Sequence, residues 1–294
     1  GLYVYHNDTT PLQHIIHDSR NIQSLTNNII WNIFADQEHN IWLGTDYGIS
    51  LSRYNSALQF IPISQITGTG DGNQFYSLFR DSKGFYWFGG ANGLIHFTDP
   101  AGERHDAIWY RMGDKTYPLS HNRIRHIYED KEQQLWIATD GSINRYDYAT
   151  RQFIHYNIVD NTGTYNTNWT YYIFEDTAGQ LWISTCLGGI FVVDKRKLMQ
   201  STSGQYIAEQ NYSVHNGLSG MFINQIIPDN EGNVWVLLYN NKGIDKINPR
   251  TREVTKLFAD ELTGEKSPNY LLCDEDGLLW VGFHGGVMRI NPKD

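Results

Sequence analysis

Residues 122–147 read NRIRHIYEDKEQQLWIATDGSINRYD. Arg125–Glu129 has the spacing of a short strand, with Ile127 three residues before Asp130. Asp130 and the polar residues after it form a hairpin turn, in which an aspartate side chain caps neighbouring amides. Leu135–Thr139 is a second strand carrying Trp136. A glycine-containing loop follows, then a third strand at Ile143–Tyr146 and a fourth at Gln152–Tyr156. No stretch sustains a 3.6-residue apolar period, so the unit reads as four strands.

Working outward, the same grammar occurs six times, centred on Trp42, Trp87, Trp136, Trp182, Trp235 and Trp280 at spacings of 45, 49, 46, 53 and 45 residues. An aspartate precedes each by six: Asp36, Asp81, Asp130, Asp176, Asp229 and Asp274. Glycine stands three before the Trp in four copies, and His39 and Gln133 replace it in the others. A period of about 40–50 residues with four strands per unit is the signature of a β-propeller. The expected fold is therefore all-β, with residues 1–294 forming a single propeller domain of four-stranded blades. Residues 1–20 match third and fourth strands, and the sixth copy stops after its third strand. Ring closure removes sheet edges, so about 40 further residues would complete a seven-bladed ring. A six-bladed ring closed by residues 12–17 is the alternative. An outer-edge insertion is expected at Lys195–Asn211. The repeat aspartates recur once per blade, which assigns them to turns rather than to one metal or catalytic centre. The tryptophans are expected between blades.

Composition agrees. Among 294 residues, 40% are hydrophobic and 14% aromatic, with 27 Gly and eight Pro, which suits a turn-rich β protein. The net charge of −9, from 23 basic and 32 acidic residues, lacks the basic patch a nucleic-acid surface needs. No apolar run reaches the roughly 18 residues of a membrane span. Cys186 and Cys273 fall two blades apart, beyond the roughly 7 Å reach of a disulfide, and are expected to be unpaired. No nucleophile, metal or phosphate motif appears, so neither catalytic residues, metal nor cofactor is expected.

The strings NRIRHIYEDKEQQLWIAT and NWTYYIFEDTAGQLWIST, with the links HNGLSGMFIN and YPLSHNRI, resemble the two-component regulator propeller repeat. The resemblance covers essentially the whole chain. It implies the periplasmic sensor region of a Bacteroidetes hybrid two-component system, in an inner-membrane protein. There, two seven-bladed propellers and a β-sandwich precede the membrane helix, histidine kinase and regulator parts. The usual cue is an oligosaccharide from a dietary or host glycan. The implied partners are that oligosaccharide and the adjoining propeller and sandwich, with a homodimer as a further possibility. The membrane is met only through segments outside this stretch.

In a propeller, links into first strands and loops between second and third strands emerge on one face. The links contribute Trp31, Phe75, Arg123, Trp169 and Phe222; the loops contribute Asp46, Tyr47, Asn92, Asp140, Tyr239, Asn240 and His284. Aromatic faces stack on sugar rings while amides and carboxylates bond hydroxyls, so Trp31, Tyr47, Asn92, Arg123, Asp140, Trp169, Tyr239, Asn240 and His284 are the candidate ligand-binding residues. Inter-blade packing is the alternative for each aromatic. A protein-interaction or dimerisation platform is the alternative function, and a propeller-based glycan lyase or hydrolase is a third.

Overall fold

A computed structural model describes residues 1–4, 11–55, 60–62, 74–98, 107–116, 118–202, 204–239, 243–258, 262, 264, 267–283 and 286–292. It divides into two compact units, the first holding Gly1–Ile137 with Tyr146–Phe153 and the second holding Ala138–Arg145 with Ile154–Asp294. The fold is the expected β-propeller.

In the first unit, β1 (Leu2–Val4) pairs antiparallel with β2 (Gln13–Ile15), the expected third and fourth strands. Blade I is the meander β3 (Ile30–Ala35), β4 (Ile41–Thr45), β5 (Gly48–Ser52) and β6 (Phe60–Pro62). Blade II is β7 (Phe75–Arg80), β8 (Tyr86–Gly90), β9 (Gly93–Phe97) and β10 (Ile108–Tyr110). Blade III, through which the unit boundary runs, is β11 (Ile124–Glu129), β12 (Leu135–Thr139), β13 (Ser142–Asp147) and β14 (Gln152–Tyr156), within a residue or so of the strands read from sequence.

The second unit continues with β15 (Ile158–Val159) and blade IV: β16 (Thr170–Glu175), β17 (Gln180–Thr185) and β18 (Ile190–Asp194). The expected insertion follows as a six-residue helix, α1 (Lys195–Gln200), and β19 (Tyr206–Ile207), which pairs parallel with β15. The blade's fourth strand is then β20 (Gln210–Tyr212). Blade V is β21 (Ile223–Pro228), β22 (Val234–Leu238), β23 (Ile244–Asn248) and β24 (Glu253–Leu257). The sixth sheet has three strands, β25 (Pro268–Cys273), β26 (Leu279–Phe283) and β27 (Gly286–Ile290). Neither cysteine forms a disulfide, as expected.

Blades pack through their repeat tryptophans. Trp42 is fully buried among Phe75, Leu78, Phe88 and Ile95 of blade II, and Trp87 among Ile124, Ile127 and Ile137 of blade III. In the second unit Trp235 packs with Leu271 and Leu279. In blades I and II close approach needs a small residue two after the Trp. A Cβ on Gly44 would meet the Phe75 carbonyl at 2.7 Å, and one on Gly89 would meet Ile124 at 2.4 Å. The fifth copy carries Leu237 there, fully buried in the same core as Leu271.

Each repeat aspartate does more than cap its turn. One carboxylate oxygen accepts the amide four residues on, in Asp36, Asp81, Asp130, Asp176, Asp229 and Asp274 alike. The other accepts the Nε1–H of the repeat tryptophan, at 2.6–3.0 Å in all six copies. The hairpin and the buried indole are one hydrogen-bonded unit.

The glycine in each turn has positive φ, for example 89° at Gly84, and His39 and Gln133 adopt 62° and 61° in its place. A side chain in that region costs about 1–2 kcal/mol, partly offset by the entropy glycine loses on folding. Gln133→Gly is therefore expected to stabilise by about 0.5–1 kcal/mol, read from a urea midpoint.

The turns at Asp36 and Asp274 are acid-sensitive. Burial pushes the Asp36 carboxyl up, but hydrogen bonds from Trp42, Asn40 and Tyr86 outweigh it and hold it below its ordinary value. At Asp274 the Trp280 indole, followed by the Leu278 amide, holds the carboxyl below that value too. A carboxyl with a lowered folded pKa contributes stability above its unfolded value near 3.9, and that contribution is lost as pH falls through the folded pKa. A circular-dichroism titration should show loss of structure setting in below about pH 4, and Asp36→Asn should flatten it.

Candidate functional site

The two loop sets do share a face. The residue four after the Trp donates its amide to the link before its own first strand: Asp46 to Ile29, Ala91 to Gln74, Cys186 to Trp169 and Tyr239 to Phe222, at 2.9–3.1 Å. Each first strand with a resolved register starts with a bulge, and bulges re-aim side chains. The bulged residues are Trp31, Tyr76, Tyr171, Asn224 and Asn269.

In the first unit, Trp31 is half exposed. Its Nε1 donates to Asp46 at 2.9 Å, and its ring meets Tyr76 edge-on at 5.5 Å. Gln74 donates to the same Asp46 oxygen at 2.7 Å and accepts from the Tyr76 hydroxyl at 2.5 Å. The Arg125 guanidinium lies over the Tyr76 ring at 5.8 Å. The other candidates here are held within their own loops. The Tyr47 amide bonds Thr45, the Asn92 carbonyl accepts from Trp109 and Arg111, and the Arg123 amide bonds His121. Phe75 corrects the sequence reading. It is 3% exposed and packs in the blade I–II core, because the bulge turns Tyr76 outward instead.

In the second unit, Asp140 and Trp169 come together. Trp169 donates its amide to the Asp140 carbonyl at 3.1 Å, linking the loop of blade III to that of blade IV. It sits at φ 56° with its side chain 47% exposed. Positive φ is an outlier for a bulky residue, and such strain persists only where the surroundings impose it. The indole borders a cleft of about 430 Å³ with Asp140, Tyr165, Asn166, Asn168 and Leu187. The loop supplying Tyr165 and Asn166 is organised by Asp160, which accepts from the Thr162 hydroxyl and the Tyr165 amide. Burial pushes the Asp160 carboxyl up, but these bonds outweigh it and lower its pKa, so the loop stays anchored at neutral pH.

Tyr239, 60% exposed, lies in a neighbouring cleft of about 160 Å³ with Tyr171, Phe222 and Asn224. Cys186 borders both clefts. Asn240 and His284 lie outside the described residues. The sequence reading missed Tyr76, Arg125, Tyr171 and Asn224. All four stand five residues before a repeat aspartate, a position reading Trp31, Tyr76, Arg125, Tyr171, Asn224 and Asn269 along the chain.

The molecule is thus a repeat β-propeller with a uniform scaffold and a varied loop face. Residues 24–47, 69–92 and 118–141 match the two component regulator propeller family, each match running from a link to five residues past a repeat tryptophan. The matched segments are three of the six repeats of the chain. No curated protein sequence matches it.

Among solved structures, it is similar to the extracellular domain of BT4673 from B. thetaiotaomicron, described both as a one component system and as a hybrid two component system. Identity is 99% over 100% of this chain and 40% of that one, with a TM-score of 0.78. The extracellular domain of the hybrid two component system BT3049 from the same organism shares 20% identity over 94% of this chain and 34% of that one, at TM-score 0.73. Virginiamycin B lyase from Staphylococcus aureus shares 16% over 93% and 84%, at TM-score 0.66. The last two likenesses show the fold alone. The 99% likeness places the segment outside the cytoplasm, as the periplasmic expectation requires, within a longer chain of which it spans 40%. Among the described residues no helix is long and apolar enough to cross a membrane.

Proposed function

We propose that this propeller is the ligand-sensing part of an extracytoplasmic signalling protein and binds a glycan-derived oligosaccharide on its loop face without transforming it. The observation that carries the reading is Trp169, an exposed indole held in a strained backbone beside Asp140 and the amides of Asn166 and Asn168. A flat apolar ring flanked by carboxylate and amide groups is the chemistry a pyranose requires. The sensor class of the 99% identical domain supports the signalling half of the proposal. A histidine kinase output, an adjoining propeller and a β-sandwich belong to the same proposal.

Calorimetry of the purified chain against a panel of neutral and acidic oligosaccharides tests it. Trp169→Ala should weaken binding by about 1–3 kcal/mol, the scale of one lost ring stack, while leaving Tm nearly unchanged. A large Tm loss with unchanged affinity would assign Trp169 to packing. Turnover of a saccharide would replace sensing with catalysis.

A second reading, an interaction face for further parts of the longer chain, is favoured by the sixth sheet. Tyr270, Gly282 and Val287 are aligned across its strands, and Tyr270, Leu272 and Val287 are about half exposed or more. In blades I and II the next blade covers the repeat tryptophan. A seventh blade covering the sixth is the proposal for the complete ring. A longer chain supplying it should shift Trp280 emission to the blue, and unchanged emission would contradict it.

A further inference from the structure

We infer that the two clefts bordered by Cys186 are successive subsites for one extended ligand, with one sugar ring on Trp169 and a later ring against Tyr171 and Tyr239. The inference rests on the saccharide reading above and adds to it a minimum length and a direction.

Three observations carry it. The first is a continuous backbone row. The Trp169 amide bonds the Asp140 carbonyl, the Cys186 amide bonds the Trp169 carbonyl, Cys186 bridges antiparallel to Phe222, and the Tyr239 amide bonds the Phe222 carbonyl. Asp140, Trp169, Cys186, Phe222 and Tyr239 therefore stand side by side across three blades. At about 4.8 Å per lateral step the row runs roughly 19 Å, the reach of a short chain of rings rather than of one. The second is the shared wall: Cys186 lines both clefts. The third is the change of lining along the row. Around Trp169 the cleft is polar and roomy, about 430 Å³ with Asp140, Asn166 and Asn168. Around Tyr239 it is about 160 Å³, with the rings of Tyr171, Phe222 and Tyr239 in its lining and Asn224 as its amide. A ligand matching both presents hydroxyls at one end and an uncharged ring face at the other.

The first cleft alone would give weak binding to a single sugar. Occupying the second adds a stacking contact without a second loss of translational freedom. Leu187, which bonds the Met221 carbonyl in a left-handed backbone at φ 81°, fixes the loop at the division between the clefts.

The test uses size fractions, from monosaccharide to tetrasaccharide, of partial hydrolysates of starch, xylan, mannan, galactan and hyaluronan, titrated into the chain and its variants. For a fraction that binds, the tetrasaccharide should bind at least about 10-fold more tightly than the monosaccharide, and Tyr239→Ala should erase that gain while leaving monosaccharide affinity unchanged. Trp169→Ala should weaken both. Alkylation by iodoacetamide gives an independent readout: the tetrasaccharide, which fills the clefts on both sides of Cys186, should protect it more fully than the monosaccharide. Cys273, whose thiol burial pushes above its ordinary value, should react slowly and identically in every mixture. Affinity independent of length, or equal protection of Cys186 by both sizes, would overturn the two-subsite inference while leaving saccharide binding intact. Failure of every fraction to bind the unaltered chain would overturn the saccharide reading itself.

Discussion

Asp81→Ala is expected to destabilise the propeller by about 3–5 kcal/mol, enough to consume a large share of a typical domain's stability. The Asp81 side chain is 2% exposed and accepts four hydrogen bonds, from the Lys83 and Phe85 amides, the Trp87 indole at 2.8 Å and the Tyr148 hydroxyl at 2.7 Å. Burial and the Asp81 carboxylate push the Tyr148 phenol far above its ordinary value, so it remains a donor throughout the working pH range. Truncation leaves the fully buried Trp87 Nε1–H and this phenol without an acceptor, each costing about 1–3 kcal/mol. Trp87→Phe removes the donor but keeps a ring, and should cost less, about 1–3 kcal/mol for the smaller ring and the lost bond. Urea unfolding monitored by circular dichroism measures both. A loss under about 1 kcal/mol for Asp81→Ala would show that the turn does not depend on the carboxylate–indole pair.

Lys195→Ala should cost a similar amount, about 3–5 kcal/mol, for a different reason. Its Nζ lies 2.8 Å from Glu175, and the two side chains are 4% and 2% exposed. The pair joins the start of α1 to the end of β16, tying the blade IV insertion to its first strand. Removing the cation takes away the charge 2.8 Å from a buried carboxylate, the costly way to break such a pair. Replacing both partners by apolar residues of similar volume, Lys195→Met with Glu175→Leu, should recover most of the loss. If the double variant is no better than the single one, the cost comes from packing of α1 rather than from the charge.

Much of this architecture was legible because its signals are local and repeat. In blade III the strands at Leu135–Thr139 and Gln152–Tyr156 coincide with their readings, the first bounded by the Asp130 turn and the Gly141 loop and the second preceded by the Asp147 turn. The blade IV insertion was visible as surplus length between Lys195 and Asn211. The pairing of each aspartate with the indole six residues on was not visible, because it depends on how the hairpin folds the second strand back against the turn. The bulges were hidden as well. A strand alternates faces with period two, so one extra residue exchanges the inner and outer sets. That exchange buried Phe75 and left Tyr76 partly exposed, and it brought Tyr171 and Asn224 to the cleft beside Phe222 and Tyr239. Asp140 and Tyr239 stand four residues after a repeat tryptophan, a position that varies between otherwise uniform repeats, as binding loops do on a rigid scaffold.

The proposed saccharide site on the loop face of the second unit is built around Trp169. A crystal structure of the chain with an oligosaccharide that binds it in calorimetry is the decisive measurement. The expected result is a sugar ring lying flat on the Trp169 indole, with hydroxyls bonded to Asp140 and to the Asn166 or Asn168 amide. A saccharide seated elsewhere on the propeller, with the cleft beside Trp169 filled only by water, would contradict it.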